Sequence, residues 1–140
     1  VAIKYFNQDT PYTPSHKRAL TAWIKQVVTI EKKRSGDINF IFCSDKYLLS
    51  INREYLKHDY YTDVITFDYS TENFLSGDIF ISVDTVLENS KLFQSLFDEE
   101  LNRVVIHGVL HLCGYNDKSD VENRHMRFLE DKYLVLFENK

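Results

Sequence analysis

The sequence predicts an α+β fold in which a small mixed sheet of about four strands packs with about five helices. Two observations predict it. Strand-like segments are confined to the first 83 residues, whereas everything from Asp84 onward reads only as helix. Leu20, Trp23, Ile24, Val27 and Val28 recur at the spacing of one helical face, while Asp37 to Cys43 is apolar on both sides, as an internal strand is. Only 4 Gly and 2 Pro among 140 residues, with 27% charged side chains, exclude collagen-like, linker-like and disordered chains. Folding at this length removes roughly 68 to 70% of the unfolded surface from water, so neither a disulfide nor a structural metal is required for cohesion. No repeat or linker interrupts the chain, and one domain over residues 1–140 is expected.

Taken in order, Ala2 to Phe6 reads as a short strand and Asn7 to Thr13 as a polar connection. Thr13 or Ser15 is expected to cap the first helix, with Pro14 near its first position, where a missing N–H costs nothing. Its end is expected in Glu31 to Gly36, with cations suiting the dipole and Gly36 as terminator. Asp37 to Cys43 is the internal strand. Ser44 and Asp45 cap a second helix through about Tyr55, with Tyr47, Leu48, Ile51 and Tyr55 inward. Leu56 to Asp63 is a polar, aromatic-rich loop without periodicity. Val64 to Tyr69 and Asp78 to Val83 are strands joined by turn-forming residues. Three helices complete the chain, at about Asp84 to Gln94, Asp98 to Cys113 and Asp120 to Phe137, with Ser119 and Glu122 at capping-box spacing.

The net charge of −4 argues against non-specific coating of nucleic acid or anionic membrane, so a nucleic-acid substrate would need a local positive groove or a bound cation. No apolar run approaches the roughly 20 residues of a membrane span. Nothing resembles a secretory leader, and Cys43 and Cys113 lack metal-knuckle spacing, which reads as two reduced thiols in a cytoplasmic protein.

The chemistry is concentrated in His107 to Asp117. Residues four apart on a helix share a face about 6 Å apart along its axis, so His107 and His111 aim at one point. Gly114 supplies a left-handed residue that reverses the chain and returns Asp117 toward the imidazoles. The pattern HxxxHxxGxxD thus offers three ligands with a fourth position open, the arrangement of a catalytic site, and its donor types suit Zn²⁺. Two histidines at this spacing also occur as core residues bonded to carbonyls; the glycine and carboxylate at fixed offsets favour the metal. The helix is zincin-like, because zinc peptidases use the same spacing with a glutamate beside the first ligand as general base. Here that position is Gly108. Without the base, a phosphodiester is the better substrate for a cation that neutralises anionic charge.

HGVLHLCGYND is similar to the HGxLHLxGYDH signature of the YbeY family, bacterial zinc-dependent endoribonucleases. Asn52 and Tyr55, then Thr62, Asp63, Val64, Thr66 and Phe67, resemble that family's NxxYR and PTDVLSF segments, and Gly77, Asp78 and Ile79 its GDI strand; Met126 and Glu130 sit in its last helix. The resemblance implies a cytoplasmic, single-strand-specific endoribonuclease holding one Zn²⁺, acting in 16S rRNA 3′ end maturation and ribosome quality control. Its partners would be an rRNA precursor and the ribosomal small subunit or assembly factors. His107 and His111 carry over as ligands, and Asp117 stands where the family has a third histidine. Leu56 stands where the family has an arginine linked to activity, leaving Lys57 and His58 to supply a cation or proton donor. Lys57, His58, Thr62 and Asp63 are the expected substrate contacts; no general base is evident, and His58 is the one candidate. Tyr60 and Tyr61 offer rings for unpaired bases or for packing beneath the loop. Two other readings compete: a non-catalytic ribosome-assembly or RNA-binding factor whose metal fixes the turn after Gly114, and a zinc peptidase.

Overall fold

The computed structural model describes residues 2–138. In chain order the elements are β1 (Ile3–Asn7), α1 (Lys17–Ile30), β2 (Arg34–Cys43), α2 (Asp45–Tyr55), β3 (Val64–Asp68), β4 (Phe74–Ser82), α3 (Val83–Leu92), α4 (Phe97–Leu112) and α5 (Asp120–Glu138). The four strands form one sheet in the order β1-β2-β4-β3, with β1–β2 and β2–β4 parallel and β3–β4 antiparallel. The mixed α+β architecture is as expected, but the front of the chain contains a βαβ crossover through α1. Parallel neighbours need such a connection because a tight turn cannot reverse the chain twice.

β2 and β4 are the internal strands, and their apolar residues show it: Ile38, Phe40, Phe42, Ile79 and Ile81 are fully buried. Against this sheet lies α4, which touches α1, α3, α5, β3 and β4. Its composition explains that placement. Leu101, Val104, Val105, Ile106, Val109, Leu110 and Leu112 cover most of its circumference and are enclosed by these neighbours, leaving a narrow, partly exposed polar stripe at Asn102, Arg103, His107 and His111. Gly108 lets α4 approach β4, since a Cβ there would stand 2.8 Å from Cγ2 of the buried Ile79.

Several local expectations are corrected. The N-cap of α1 is His16, not Thr13 or Ser15; its carbonyl accepts the first helical bond from Leu20 N–H, and no side chain caps the end. The left-handed residue after α1 is Lys32 at φ 62°, and Gly36 belongs to β2, which begins at Arg34. The cations therefore fall beyond the last turn. β4 begins at Phe74, four residues before the predicted start at Asp78, because Ser76 and the backbone around it pair with the connection from β3. Tyr55 is 59% exposed rather than inward. It ends α2 over β3, the edge strand, where its ring meets Phe67 edge-on with centres 5.9 Å apart; Leu48, Leu49, Ile51 and Asn52 form the buried face. The predicted capping box holds, with Glu122 accepting from Ser119 N–H and Ser119 Oγ from Glu122 N–H.

Both cysteines are free. Burial first, then nearby aspartates, pushes the Cys43 thiol up to about 12, and burial followed by Glu31 does the same to Cys113. The thiolate is the reactive form. Neither residue should therefore react with a disulfide reagent in mildly alkaline buffer while the protein is folded, and two thiols should titrate once guanidinium unfolds it.

Candidate metal centre

α4 delivers His107 and His111 from consecutive turns of one face. The helix then stops at Gly114, whose φ of +105° admits no side chain comfortably. Gly114 N–H bonds to His111 carbonyl at 3.0 Å and Tyr115 N–H to Leu110 carbonyl at 3.1 Å, the paired bonds of a Schellman ending. This turn carries Asp117 back to the histidines and leaves Asn116 exposed. His107 Nε2 lies 3.2 Å and His111 Nε2 3.4 Å from Asp117 Oδ2, and the two Nε2 atoms are 2.9 Å apart.

The outer nitrogens decide what those inner atoms are. His111 Nδ1 donates to the Tyr115 carbonyl at 3.0 Å, so its Nε2 is a bare lone pair when the ring is neutral. His107 Nδ1 donates to Glu130 Oε2 at 2.7 Å, which leaves its Nε2 in the same state. With both rings neutral, two lone pairs and a carboxylate oxygen thus converge on one point, an arrangement that can hold a metal ion. Ligands at zinc's usual distances on the corners of a tetrahedron stand about 3.3 Å apart, and the observed separations bracket that spacing. The donor set fits a divalent ion of this kind.

The electrostatics agree with that reading. Burial alone would lower the pKa of His107, but the hydrogen bond and charge of Glu130, with Asp117 and Asp63, raise it above the ordinary imidazole value. His111 is lowered, by burial and then by His107. One ring thus holds a proton more readily than the other, as expected of paired bases sharing one carboxylate.

The sequence places Glu130 in the last helix, and the structure gives it a partner, His107. Glu130 is buried on α5, and its second oxygen accepts from Arg103 Nη1 at 2.9 Å while Arg103 Nη2 reaches Asp131 at 2.7 Å. A carboxylate behind a ligand histidine fixes the ring's tautomer and raises its basicity. The usable signal was Glu130 within the apolar stripe Met126, Leu129 and Tyr133. Replacement by glutamine keeps an oxygen for His107 Nδ1 but removes the charge. Glu130→Gln should weaken Zn²⁺ binding by about tenfold, the lower end for such outer groups, as read by competition with a chromophoric chelator.

A cleft of about 500 Å³ opens in front of the three residues. His58, Thr62 and Asp63 line it with Tyr60 and Leu56, so three of the four expected substrate contacts gather near His107, His111 and Asp117. Lys57 does not line it; the residue is exposed with φ 58° where the loop turns. Buried Asn52 pins this loop, its amide donating to Tyr60 carbonyl at 2.9 Å and its carbonyl accepting from Leu56 and His58 N–H at 3.1 Å. His58 stacks on Tyr60 with ring centres 5.2 Å apart. Asp63 also borders a smaller chamber behind His107, and burial raises its carboxyl pKa against the pull of His107. His125 stays outside the centre, beside Tyr115.

Fold and site together define an α+β protein with a two-histidine, one-carboxylate turn at the end of its central helix. The endoribonuclease YbeY family model matches residues 4–138. Endoribonuclease YbeY of Parabacteroides distasonis is 48% identical over 136 residues, 97% of this chain and 96% of that protein. The Bacteroides fragilis protein of the same name is 50% identical over 136 residues, 97% and 98% of the two chains. The solution structure of TM1509 from Thermotoga maritima superposes with a TM-score of 0.69 at 27% identity, covering 97% of this chain and 89% of that one. The chain belongs to the YbeY endoribonuclease family.

Proposed function

We propose that this protein is a single-domain, zinc-dependent endoribonuclease that cleaves single-stranded RNA at the 3′ end of the 16S rRNA precursor, in the cytoplasm and in company with the small subunit or its assembly factors. An RNA-cleaving hydrolase follows from the family. The observation that supports the metal dependence is the convergence of three ligand atoms, His107 Nε2, His111 Nε2 and Asp117 Oδ2, at 2.9 to 3.4 Å from one another. When bound there, a divalent ion supplies charge neutralisation at the phosphoryl oxygens.

The chain's own residues provide the rest. Glu130 and the Tyr115 carbonyl hold the two imidazoles in the tautomer that faces the cleft. Asp63 is the cleft carboxylate whose proton affinity is raised, which suits it to take a proton from the attacking hydroxyl and return one. His58 and exposed Tyr60 offer ring faces on which an unpaired base stacks, in keeping with a single strand and with leucine at position 56. Among the described residues, no helix is long and apolar enough to cross a membrane. The peptidase alternative lacks support, because Gly108 faces Ile79 and leaves no room for the missing base.

Chelator treatment should abolish cleavage of an unstructured RNA, and stoichiometric Zn²⁺ should restore it. A 2′,3′-cyclic phosphate at the new ends would identify attack by the neighbouring hydroxyl, and its absence attack by water. Intact RNA after incubation with zinc-loaded protein would instead favour the non-catalytic assembly factor.

A further inference from the structure

Glu31, at the end of α1, lies on a different element from all three candidate ligands. Its Oε1 accepts from Tyr115 Oη at 2.7 Å and its Oε2 from Tyr133 Oη. Tyr133 is fully buried, and its carbonyl accepts from Trp23 Nε1 at 2.8 Å, so this end of the linkage is anchored in the core. Tyr115 is also the residue whose carbonyl receives His111 Nδ1, and it stands two positions before Asp117. Its N–H is held by Leu110 and its ring by Glu31, and with both in place its carbonyl meets His111 Nδ1.

We propose that Glu31 is a positioning residue for the metal centre, acting through Tyr115 to hold the tautomer of His111 and the approach of Asp117. The inference rests on the metal-binding reading above. The physical reason is the length of the turn. The Schellman bonds fix the backbone only as far as Tyr115 N–H; beyond it the tyrosine hydroxyl's bond to Glu31 holds the Tyr115 ring, while Glu122 holds the Asn116 side chain and the Lys118 backbone. Freed from Glu31, the Tyr115 ring and the peptide after it can rotate together. His111 Nδ1 then loses its acceptor and its proton redistributes between the two nitrogens. A bare Nε2 is what coordination requires, so affinity falls with the tautomer.

The two tyrosine contacts separate positioning from stability. Tyr115→Phe cuts the arm that leads to the site, and Tyr133→Phe cuts the arm that leads to the core. Both remove one hydroxyl from the same carboxylate. The test is Zn²⁺ affinity by chelator competition together with ¹⁵N spectra of the imidazoles in metal-free protein. Glu31→Ala and Tyr115→Phe should each weaken zinc about tenfold or more, within the range for groups that orient ligands, and should mix the His111 tautomers. Glu31→Gln retains an acceptor for Tyr115 and should stay within about threefold of the parent, a change below 1 kcal/mol. Tyr133→Phe should lower thermal stability with unchanged affinity and tautomer. Parent-like spectra and affinity in Tyr115→Phe would overturn the proposal. If the parent binds no zinc, the metal reading fails separately, and the spectra alone still decide whether Glu31 governs His111.

Discussion

His111→Ala is expected to weaken Zn²⁺ binding and RNA cleavage by about two orders of magnitude or more while leaving the protein folded. Structural zinc sites bind with an apparent 10 to 16 kcal/mol over four ligands, about 3 kcal/mol for each. Loss of one of three protein ligands should therefore weaken binding by roughly a hundredfold or more, and cleavage should fall at least as far. The fold should not suffer. Alanine has the higher helix propensity, and His111 lies on the partly exposed face of α4 rather than in its apolar contact with the sheet. Removing its ring also removes the 2.9 Å approach of the two Nε2 atoms, which is repulsive when both neutral rings carry their protons on Nδ1. Metal-free His111→Ala should melt at or above the parent temperature, by circular dichroism, even as isothermal titration reads the weakened zinc binding. A variant that still cleaves unstructured RNA at the parental rate would place the active centre elsewhere.

Gly77→Ala is expected to cost more stability than the same change at Gly36, Gly108 or Gly114. Gly77 sits in β4 opposite Asp68 of β3 and Ile38 of β2. A Cβ there would lie 2.4 Å from the Phe67 carbonyl oxygen and 2.9 Å from Leu112 Cδ2. The first obstacle is backbone and cannot rotate away, and the second is the residue that follows His111. Relief requires β3 to separate from β4 or the end of α4 to lift from the sheet. Overpacking ordinarily costs 1 to 3 kcal/mol, and a displaced ladder adds lost hydrogen bonds, so about 3 kcal/mol or more is expected. For a chain of this size that corresponds to a fall of roughly 10 °C in Tm. Because Leu112 moves with the histidines, zinc affinity should fall together with Tm. Calorimetry and a chelator competition on the same preparation check both.

Comparison of the two substitutions shows how unevenly the site could be read from sequence. His107, His111 and Asp117 were legible because their geometry is local: one helical repeat sets the pair, and one left-handed glycine sets the return of the chain. The strands were legible wherever burial on one or both faces left a pattern, as in β2. Tyr55 misled because helical periodicity reports which residues share a face, not whether anything covers its last turn. The βαβ crossover was hidden for a related reason. Strand direction depends on which strands become neighbours, and β1 meets β2 rather than its antiparallel alternatives only once α1 has packed on the sheet.

By itself the sequence determined the α+β class, the mostly apolar helix, the two imidazoles on one turn-spaced face and the carboxylate brought back to them. Those follow from torsion angles and burial within about a dozen consecutive residues. Tertiary structure alone decided which groups stand behind the imidazoles. Glu130 reaches His107 across the α4–α5 packing, and Glu31 reaches Tyr115 from the far end of α1. Each of these meetings joins segments distant along the chain. No local period encodes them, because they exist only after hydrophobic burial has fixed how the helices lie on the sheet.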